Sequence, residues 1–336
     1  MVMEYQGSFR RGFEPFKCIR LYAAAMTFDP NARLDASQVS TRRGGGGGGF
    51  RRPGVTIGGG LGGMAVMIVL ALIFGPQVLT GGGALSFDDY LQVEDEYSGG
   101  AGGDTDLAAT CRTGADANAH VECRAVGTVN ALNAYWPDGA AALGVDYRMP
   151  SVVLTGGTWQ TACGQGTSAM GPFYCSADET VYLDVTFFEQ LRAVYGADEG
   201  ALPEEYVLAH EFGHHIQHLT GAMQYVRPGD TGPQSSGVRL ELQADCYAGV
   251  WAANAAVTPD PRSGEPFLEP LTQEDISDAL SAAEVIGDDH IQEMSGGRVM
   301  PESFTHGSSE QRQTWFLTGY RSGDPSSCDT FSPARV

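Results

Sequence analysis

The chain has 336 residues, which is enough for one large domain or two small ones with an ample core. Its formal net charge at pH 7 is −21. A globular part that acidic repels phosphate backbones, so the composition argues against nucleic acid as a partner.

The charge is divided unevenly along the chain. Residues 1–54 carry nine Lys and Arg residues and four acids, a net charge of +5. Residues 55–336 carry eleven arginines, no lysine and 37 acids, a net charge of −26. Residues 1–54 are also Gly-rich and lack apolar periodicity, which predicts a disordered basic tail.

An apolar segment follows this tail. Val55–Leu79 contains no charged residue, and its only strongly polar residues are Thr56 and Gln77. A helix of about 25 residues crosses the ~30 Å hydrocarbon core of a bilayer at about 1.5 Å per residue. The segment therefore predicts one transmembrane helix at residues 55–79. The basic residues upstream place residues 1–54 in the cytoplasm and residues 80–336 outside it.

Two other interpretations of the apolar segment stay open. Its densest apolar run, Met64–Phe74, has eleven residues and could be a buried core helix. The segment could also be the core of a cleaved signal peptide, with Gly82 or Ala84 at the cleavage site, although the preceding basic region is long for that.

Residues 80–106 are acidic and Gly-rich, which predicts a linker, and residues 107–336 form the predicted domain. Six of the seven cysteines lie after the apolar segment: Cys111, Cys123, Cys163, Cys175, Cys246 and Cys328. An even number on the exported side predicts disulfides, in any of fifteen connectivities. Short loops favour Cys111–Cys123 and Cys163–Cys175, which leaves Cys246–Cys328.

The first part of the domain combines helix and strand patterns. A helix is expected to run up to Pro137, and a strand is expected at residues 151–155. Residues 170–185 contain two strand-like runs around a polar turn, which predicts a hairpin. A helix over residues 186–196 follows, ending at Gly196.

The later part of the domain is helical. A helix is predicted over 203–220, with Pro203 in its first turn and Gly221 as its stop. Further helices are predicted over 236–256, 272–287 and 308–323, the last opened by Ser308 and Gln311 in capping-box spacing. Strands early and helices late predict an α+β fold with a small antiparallel or mixed sheet packed on helices.

Residues 210–214 read HEFGH, which fits H-E-x-x-H. On a helix, positions four apart differ by about 40° around the axis, so His210 and His214 face one way. Two such imidazoles can chelate one Zn²⁺, and Glu211 can act as general base on the attacking water. The alternative is a polar helix face that matches the pattern by chance.

A catalytic zinc needs a third protein ligand. The extended pattern H-E-x-x-H-x-x-G-x-x-H fails, because Gln217 and Thr220 stand where Gly and His are required, so His218 is not that ligand. Glu241 is the predicted third ligand, on the helix over 236–256. Asp245 lies one turn further on and is expected to accept a hydrogen bond from a zinc histidine. An exposed pair of acids is the alternative reading of these two positions.

The chain resembles the neutral zinc metallopeptidases of bacteria. The resemblance covers residues 147–331, together with the Gly-rich basic N-terminus and the apolar segment. It is carried by TACGQGTSAMGPFYCSADETVYLD, YVLAHEFGHHIQ, RLELQADCYAGVWA, ALSAAEVIGDDHIQ and GGRVMPESFTHGSSEQRQTWFLTGYRSGDPSSCDTF. It implies a zincin-like domain of the gluzincin type on a single-pass anchor in the bacterial cell membrane, with one Zn²⁺ per chain.

The same resemblance implies His210, His214 and Glu241 as metal ligands and Glu211 as the catalytic base. Residues before Met26 are unlike the family, which makes Met26 an alternative start that would remove Cys18.

Other residues have weaker assignments. His306, or alternatively Arg312, is a candidate stabiliser of the tetrahedral oxyanion, although a structural role fits either residue equally well. His215 lies about 100° from His214 around the helix and is expected to be structural. His218 is expected in the surroundings of the site or at the surface. The strand VYLDV (residues 181–185) is an edge that could align a peptide, or a core strand.

The sequence predicts a membrane-anchored zinc peptidase acting on a peptide or protein substrate and contacting the bilayer through residues 55–79. Two alternatives belong to other classes: an extracytoplasmic zinc-binding scaffold with little turnover, and a zinc hydrolase of non-peptide amides.

Overall fold

The computed structural model describes residues 27–42 and 106–336. The predicted transmembrane helix at residues 55–79 and the linker up to residue 105 lie outside the described residues. Within the described ranges, no helix combines the length and the apolar character that a membrane crossing requires.

The α-helices make up nearly half of the described part of the chain. They are α1 (Leu107–Thr110), α2 (Gly114–Ala119), α3 (Val121–Ala142), α4 (Thr186–Ala193), α5 (Leu202–Thr220), α6 (Ser236–Ala255), α7 (Gln273–Val285), α8 (Asp288–Met294) and α9 (Ser309–Ser322).

The strands are short and form two sheets. They are β1 (Ser40–Thr41), β2 (Ser151–Leu154), β3 (Thr158–Thr161), β4 (Gly164–Thr167), β5 (Phe173–Cys175) and β6 (Thr180–Leu183). The larger sheet has the order β1-β2-β6-β5, in which β5 is antiparallel to β6 and the other pairings are parallel. Strands β3 and β4 form a separate hairpin. The predicted α+β class with a small mixed sheet is confirmed.

The predicted hairpin in residues 170–185 is the β5–β6 pair, with Tyr174 opposite Val181. Strand β6 lies between β2 and β5, and all four of its residues are buried. VYLDV is therefore a central strand and not an edge. The edge nearest the helices of the site is β5, which contacts α5.

Local signals place the ends of the later helices correctly. Pro203 stands in the first turn of α5, and Gly221 closes that helix with a φ of 77°. Thr272 and Asp275 form a capping box at the start of α7, and Ser308 forms another with Gln311 at the start of α9.

The expected end of a helix at Pro137 is wrong, because α3 continues through that residue to Ala142. The helix is held there by tertiary packing: the fully buried ring of Trp136 packs edge-on against Tyr247 of α6, with 5.6 Å between ring centroids. Such packing offsets the hydrogen bond that a proline removes from a helix.

The expected disorder of residues 1–54 is wrong for residues 27–42, which pack on the domain. Two asparagine side chains each bind both backbone polar groups of one residue in this segment. Asn118 bonds the N–H and C=O of Phe28 at 3.2 and 2.9 Å. Asn130 bonds those of Asp35 at 2.6 and 3.1 Å. The folded unit therefore includes residues 27–42 as well as the predicted domain 107–336.

Glycines of the domain leave room for the same segment. The Phe28 side chain is fully buried, and a Cβ atom placed on Gly127 of α3 would lie 2.6 Å from its ring. A Cβ on Gly114 would overlap the carbonyl of Asp29. Beyond this contact, β1 extends the larger sheet by pairing with β2. The domain sequence thus contains the small residues that leave room for residues 27–42.

The described residues contain three disulfides, which are the two pairs that short loops favour and the pair that these leave. Cys111–Cys123 joins the C-terminal end of α1 to the first turn of α3. Cys163–Cys175 joins the β3–β4 hairpin to β5. Cys246–Cys328 ties the end of the chain to α6. The two shorter loops span 12 residues each and the third spans 82.

Candidate metal centre

The residues of H-E-x-x-H lie in the middle of α5, with His210 and Glu211 each 7% exposed. The imidazoles of His210 and His214 are neighbours on one face, with 4.7 Å between ring centroids and an interplanar angle of 88°. Helical spacing alone brings these two rings together.

Glu241 of α6 completes a cluster with these histidines. Its Oε2 lies 3.2 Å from His210 Nε2, and its Oε1 lies 3.7 Å from His214 Nε2. One ligand atom from each of the three residues falls within 4.8 Å of the others. Two ligands about 2.0 Å from a tetrahedral zinc lie about 3.3 Å apart, so the spacing and the N/N/O donor set fit Zn²⁺.

Close contact between α5 and α6 positions this cluster. Gly213, between the two histidines in sequence, lies against Ala244, and a Cβ on that glycine would approach the Ala244 Cα and O to 2.9 Å. Small residues on α6 were expected to allow this approach. Gly249 has a different role, because it faces α9, where a Cβ would overlap the backbone at Phe316.

The Asp245 carboxylate contacts the imidazole of His210. Its Oδ1 lies 2.7 Å from His210 Nδ1, and it also accepts a hydrogen bond from the Tyr206 hydroxyl at 2.6 Å. Because a carboxylate only accepts, Nδ1 carries a proton, and Nε2 is the ring nitrogen that faces Glu241. Asp245 is fully buried.

The charge of Asp245 is balanced by Arg312 of α9, a contact that the sequence did not reveal. The guanidinium donates to Asp245 through Nε at 2.9 Å and Nη2 at 3.0 Å. Its Nη1 donates to the carbonyl of Ile286, and Nη2 also lies 3.3 Å from the Tyr206 hydroxyl. All three nitrogens of the Arg312 guanidinium have protein partners. Arg312 is therefore not free to stabilise an oxyanion, which was the alternative role considered for it from the sequence.

The protonation preferences of these groups follow from their contacts. Burial disfavours the charged imidazolium, but the carboxylates of Asp245 and Glu241 outweigh it and raise the pKa of His210 to about 10. Burial likewise opposes ionisation of Asp245, yet Arg312 and His210 hold the pKa of its carboxyl at about 2.

Glu211 lies beside the cluster with one oxygen unused. Its Oε2 is buried and has no hydrogen-bond partner among the described residues. Burial raises the pKa of the Glu211 carboxyl, against the opposing influence of His214 and His210. A buried carboxylate with a free oxygen and a raised pKa suits proton transfer near neutral pH.

The family described as "Putative neutral zinc metallopeptidase" matches residues 30–331. The chain belongs to this family. The resemblance seen in the sequence is thereby confirmed. The match begins within the docked segment 27–42 and contains every residue of the metal centre.

Several bacterial proteins are similar to this chain. "Uncharacterized protein Rv2575" of Mycobacterium tuberculosis is 50% identical over 224 residues, covering 67% of this chain and 75% of the relative. "Uncharacterized protein Mb2605" of Mycobacterium bovis gives the same values. "Uncharacterized protein YpfJ" of Escherichia coli K12 is 43% identical over 201 residues, covering 58% of this chain and 66% of the relative. No solved structure matches the chain significantly.

His306 lies next to the metal centre, held by Asp288 at the start of α8. The backbone N–H groups of Thr305, His306 and Gly307 all donate to Asp288 Oδ2, at 2.7, 2.7 and 3.0 Å. His306 Nδ1 lies 3.4 Å from Asp288 Oδ1. Burial lowers the pKa of His306, but Asp288 and Glu241 outweigh it and raise that pKa overall. A side chain 43% exposed keeps the ring open to solvent.

The remaining histidines of α5 are not part of the cluster. His215 is fully buried and structural, as expected: its Nε2 lies 2.7 Å from the carbonyl of Arg148 and its Nδ1 lies 3.0 Å from the Tyr174 hydroxyl. His218 lies 3.3 Å from Glu179 and is 30% exposed.

Gln217 contacts the site, although the sequence marked it only as a departure from the extended pattern. Its Oε1 lies 2.8 Å from His214 Nδ1. The i,i+3 spacing from His214 on one helix was the available signal.

Proposed function

We propose that the protein is a zinc-dependent peptidase of the zincin-like, gluzincin type. The observation that carries this proposal is the convergence of His210 Nε2, His214 Nε2 and the Glu241 carboxylate. Beside them, Glu211 Oε2 has no hydrogen-bond partner within the part of the chain that the structure describes. Membership of a family described as a zinc metallopeptidase supports it.

Bound at His210, His214 and Glu241, one Zn²⁺ per chain would supply a Lewis acid that polarises a carbonyl and makes water more acidic. The chain's own residues supply the proton transfers. Glu211 accepts a proton from the attacking water and delivers it to the amine that leaves, which retains the proton balance over one turnover. Its raised pKa brings the carboxyl nearer to the pH at which both steps are efficient.

His306 is the proposed stabiliser of the oxyanion that forms on the substrate carbonyl. Its Nδ1 lies 2.9 Å from the Thr305 hydroxyl and 3.4 Å from Asp288 Oδ1, which leaves Nε2 as the ring nitrogen available to a substrate. A raised pKa favours the cationic form, which donates from both nitrogens and adds a positive charge.

Two other functions share the same metal site. A zinc-binding scaffold would use the three ligands but not Glu211, and a hydrolase of non-peptide amides would use all four residues on another substrate. The unused oxygen of a buried glutamate favours hydrolysis over the scaffold, because a purely structural site is not expected to retain a costly unpartnered carboxylate.

The test compares metal content and peptide cleavage for the full-length chain in detergent. We expect one zinc per wild-type chain and cleavage of members of an unbiased peptide library. Glu211→Ala should keep zinc and lose at least about a hundredfold in turnover, because general base catalysis contributes about 10²–10⁴. Glu310→Ala, an exposed glutamate on α9, is the control and should behave like wild type.

A matched pair of histidine variants tests the metal site. His210→Ala should lose stoichiometric zinc, whereas His218→Ala on the same helix should retain it. Wild-type protein without stoichiometric zinc would refute the whole proposal. Zinc binding without a difference between wild type and Glu211→Ala would favour the scaffold, and cleavage of small amides but no peptide would favour the third function.

We propose that the domain lies outside the cytosol and that the chain contacts the bacterial cell membrane through residues 55–79. The three disulfides support the first part, since such bonds persist in oxidising compartments. Residues 27–42 contact the domain, and a direct contact cannot cross a bilayer about 30 Å thick. A cytoplasmic location for residues 27–42 therefore does not fit an extracytoplasmic domain, and we propose one compartment for both.

Single-cysteine labelling tests this arrangement in a Cys18→Ser background. Ser37→Cys reports on the docked segment and Ser295→Cys on the domain; both positions are exposed. A membrane-impermeant maleimide should label both in spheroplasts. Labelling of position 295 in intact spheroplasts, with position 37 reacting only after lysis, would show that the two regions lie on opposite sides.

A further inference from the structure

We propose that Gln217 and Gln243 are positioning residues that hold the His214 imidazole in its metal-binding orientation and connect it to the disulfide-tethered C-terminal segment. This inference rests on the proposed zinc site. His214, the second histidine of the motif, is then oriented by a neutral amide. His210, the first, is oriented by the Asp245 carboxylate.

The direction of the hydrogen bonds follows from a backbone carbonyl. Gln217 Nε2 lies 2.6 Å from the carbonyl oxygen of Leu240. A carbonyl only accepts, so the amide nitrogen must face it and Oε1 must face His214. His214 Nδ1, at 2.8 Å from Oε1, therefore carries the proton. The lone pair is left on Nε2, the atom that faces Glu241 at 3.7 Å.

Gln243 supports the same orientation of the Gln217 amide. Its Oε1 lies 3.2 Å from Gln217 Nε2, and its own Nε2 donates to the carbonyl of Cys328 at 2.8 Å. This second carbonyl also only accepts, so both amides are oriented by backbone atoms. Gln217 is fully buried and Gln243 is 7% exposed, so water competes little for these bonds.

The hydrogen bonds from His214 through Gln217 to Gln243 form a relay. This relay ends at the Cys246–Cys328 disulfide. Gln243 stands three residues before Cys246 on α6, and its last hydrogen bond goes to the residue bonded to that cysteine. The C-terminal segment beyond α9 thus reaches the metal centre through two side chains, although it contributes no ligand.

An amide and a carboxylate support a metal histidine differently. A carboxylate partner adds negative charge near the metal, and at Asp245 this charge is offset by Arg312. No arginine accompanies Gln217 in this relay, and a neutral amide needs none. The amide orients His214 without adding charge next to the metal ligands.

The test measures zinc affinity of the full-length chain by competition with a chelator. Gln217→Met conserves side-chain length without hydrogen bonds and should weaken zinc binding by about 10–100-fold, the usual cost of losing such a partner. Gln217→Glu keeps an acceptor for His214 but loses the donor to the Leu240 carbonyl, so it should recover only part of that loss. Gln243→Met should fall between wild type and Gln217→Met. Gln313→Met, a half-buried glutamine on α9 outside the relay, should bind like wild type.

A second readout separates positioning from general destabilisation. In ¹⁵N-histidine spectra of the zinc-loaded protein, His214 should show a proton on Nδ1 that exchanges slowly with solvent. Exchange should accelerate in Gln243→Met and the signal should disappear in Gln217→Met, with the His210 signal unchanged.

The outcomes distinguish this inference from the proposed function. Wild type without zinc would refute the zinc site itself. Wild type with zinc, but with folded Gln217→Met binding equally well or with the His214 proton on Nε2, would overturn the relay alone. If Gln217→Met does not fold, Gln243→Met decides, and unchanged zinc affinity and proton exchange in that variant would overturn the relay.

Discussion

Glu205 is a carboxylic acid enclosed at the start of α5, close to the metal-binding motif in sequence. It is fully buried, accepts a hydrogen bond from the Thr27 hydroxyl of the docked segment, and has no partner at Oε2 among the described residues. Burial raises the pKa of this carboxyl to about 7, despite the lowering influence of Thr27 and Arg124. The protonated form therefore persists in the folded protein well above its ordinary range.

This predicts a pH dependence of stability. Between pH 4.5 and about 7 the folded state holds a proton on Glu205 that the unfolded state has released, so stability falls as pH rises through this window. Glu205→Gln mimics the protonated form. We expect it to match wild type near pH 4.5 and to raise the free energy of unfolding by up to about 3 kcal/mol at pH 8.

Urea unfolding at pH 4.5 and pH 8 measures this effect. Glu199→Gln, at an exposed position nearby, should show no such pH-dependent gain. A constant difference between Glu205→Gln and wild type at both pH values would contradict the prediction.

The roles of some site residues could be predicted from the sequence, and the roles of others could not. His210, Glu211 and His214 could be predicted because one helical turn determines their geometry. Arg312 and Asp288 could not be assigned as supports, because each acts on a residue 67 or 18 positions away, through contacts made only after folding.

At the level of elements, the contact between α5 and α6 determines the distance between the two histidines and Glu241. Gly213 lies in this contact, where an added Cβ atom would approach the backbone of Ala244 to 2.9 Å. A methyl group there must push the helices apart, because the atoms that it meets include main chain.

Gly213→Ala is therefore expected to weaken zinc binding and to lower stability. Overpacking costs about 1–3 kcal/mol, against about 1 kcal/mol gained from the better helix propensity of alanine. Zinc competition and urea unfolding measure the two effects. Gly237→Ala is the matched control on α6, since its Cβ would have ordinary van der Waals room and should be neutral or stabilising. Equal behaviour of the two variants would show that the helices do not need this contact.

Elements with local end signals could be predicted, and those without them could not. Proline, glycine and capping boxes gave the bounds of α5, α7 and α9 to within a few residues. The β3–β4 hairpin and the full length of α3 were missed, since a disulfide to β5 and packing of Trp136 stabilise them. Neither contact is visible in a short window of sequence.

At the level of the whole molecule, residues 27–42 belong to the folded unit although at least 63 residues separate them from it in sequence. The segment supplies Phe28 to the core and β1 to the edge of the sheet. A fragment that begins near residue 105 would lack both, so the full chain is the appropriate material for measuring activity.

Phe28→Ala tests this integration. Truncating a fully buried phenylalanine is expected to cost about 3–5 kcal/mol of the free energy of unfolding. Asn31→Ala, in the same segment but exposed, should cost less than about 0.5 kcal/mol. Thermal or urea unfolding of the full-length variants measures both. A loss below 1 kcal/mol for Phe28→Ala would show that the docked segment contributes little to stability.

The sequence by itself determined the α+β class, the helix carrying H-E-x-x-H, the candidate ligand Glu241 and the family. These depend on local spacing, on local end signals and on blocks of residues in a fixed order. Only the tertiary structure decided that Arg312 balances Asp245, that Gln217 and Gln243 support His214, and that residues 27–42 are part of the domain. The reason is physical: each of these depends on directional contacts between distant segments, which exist only once the helices are packed.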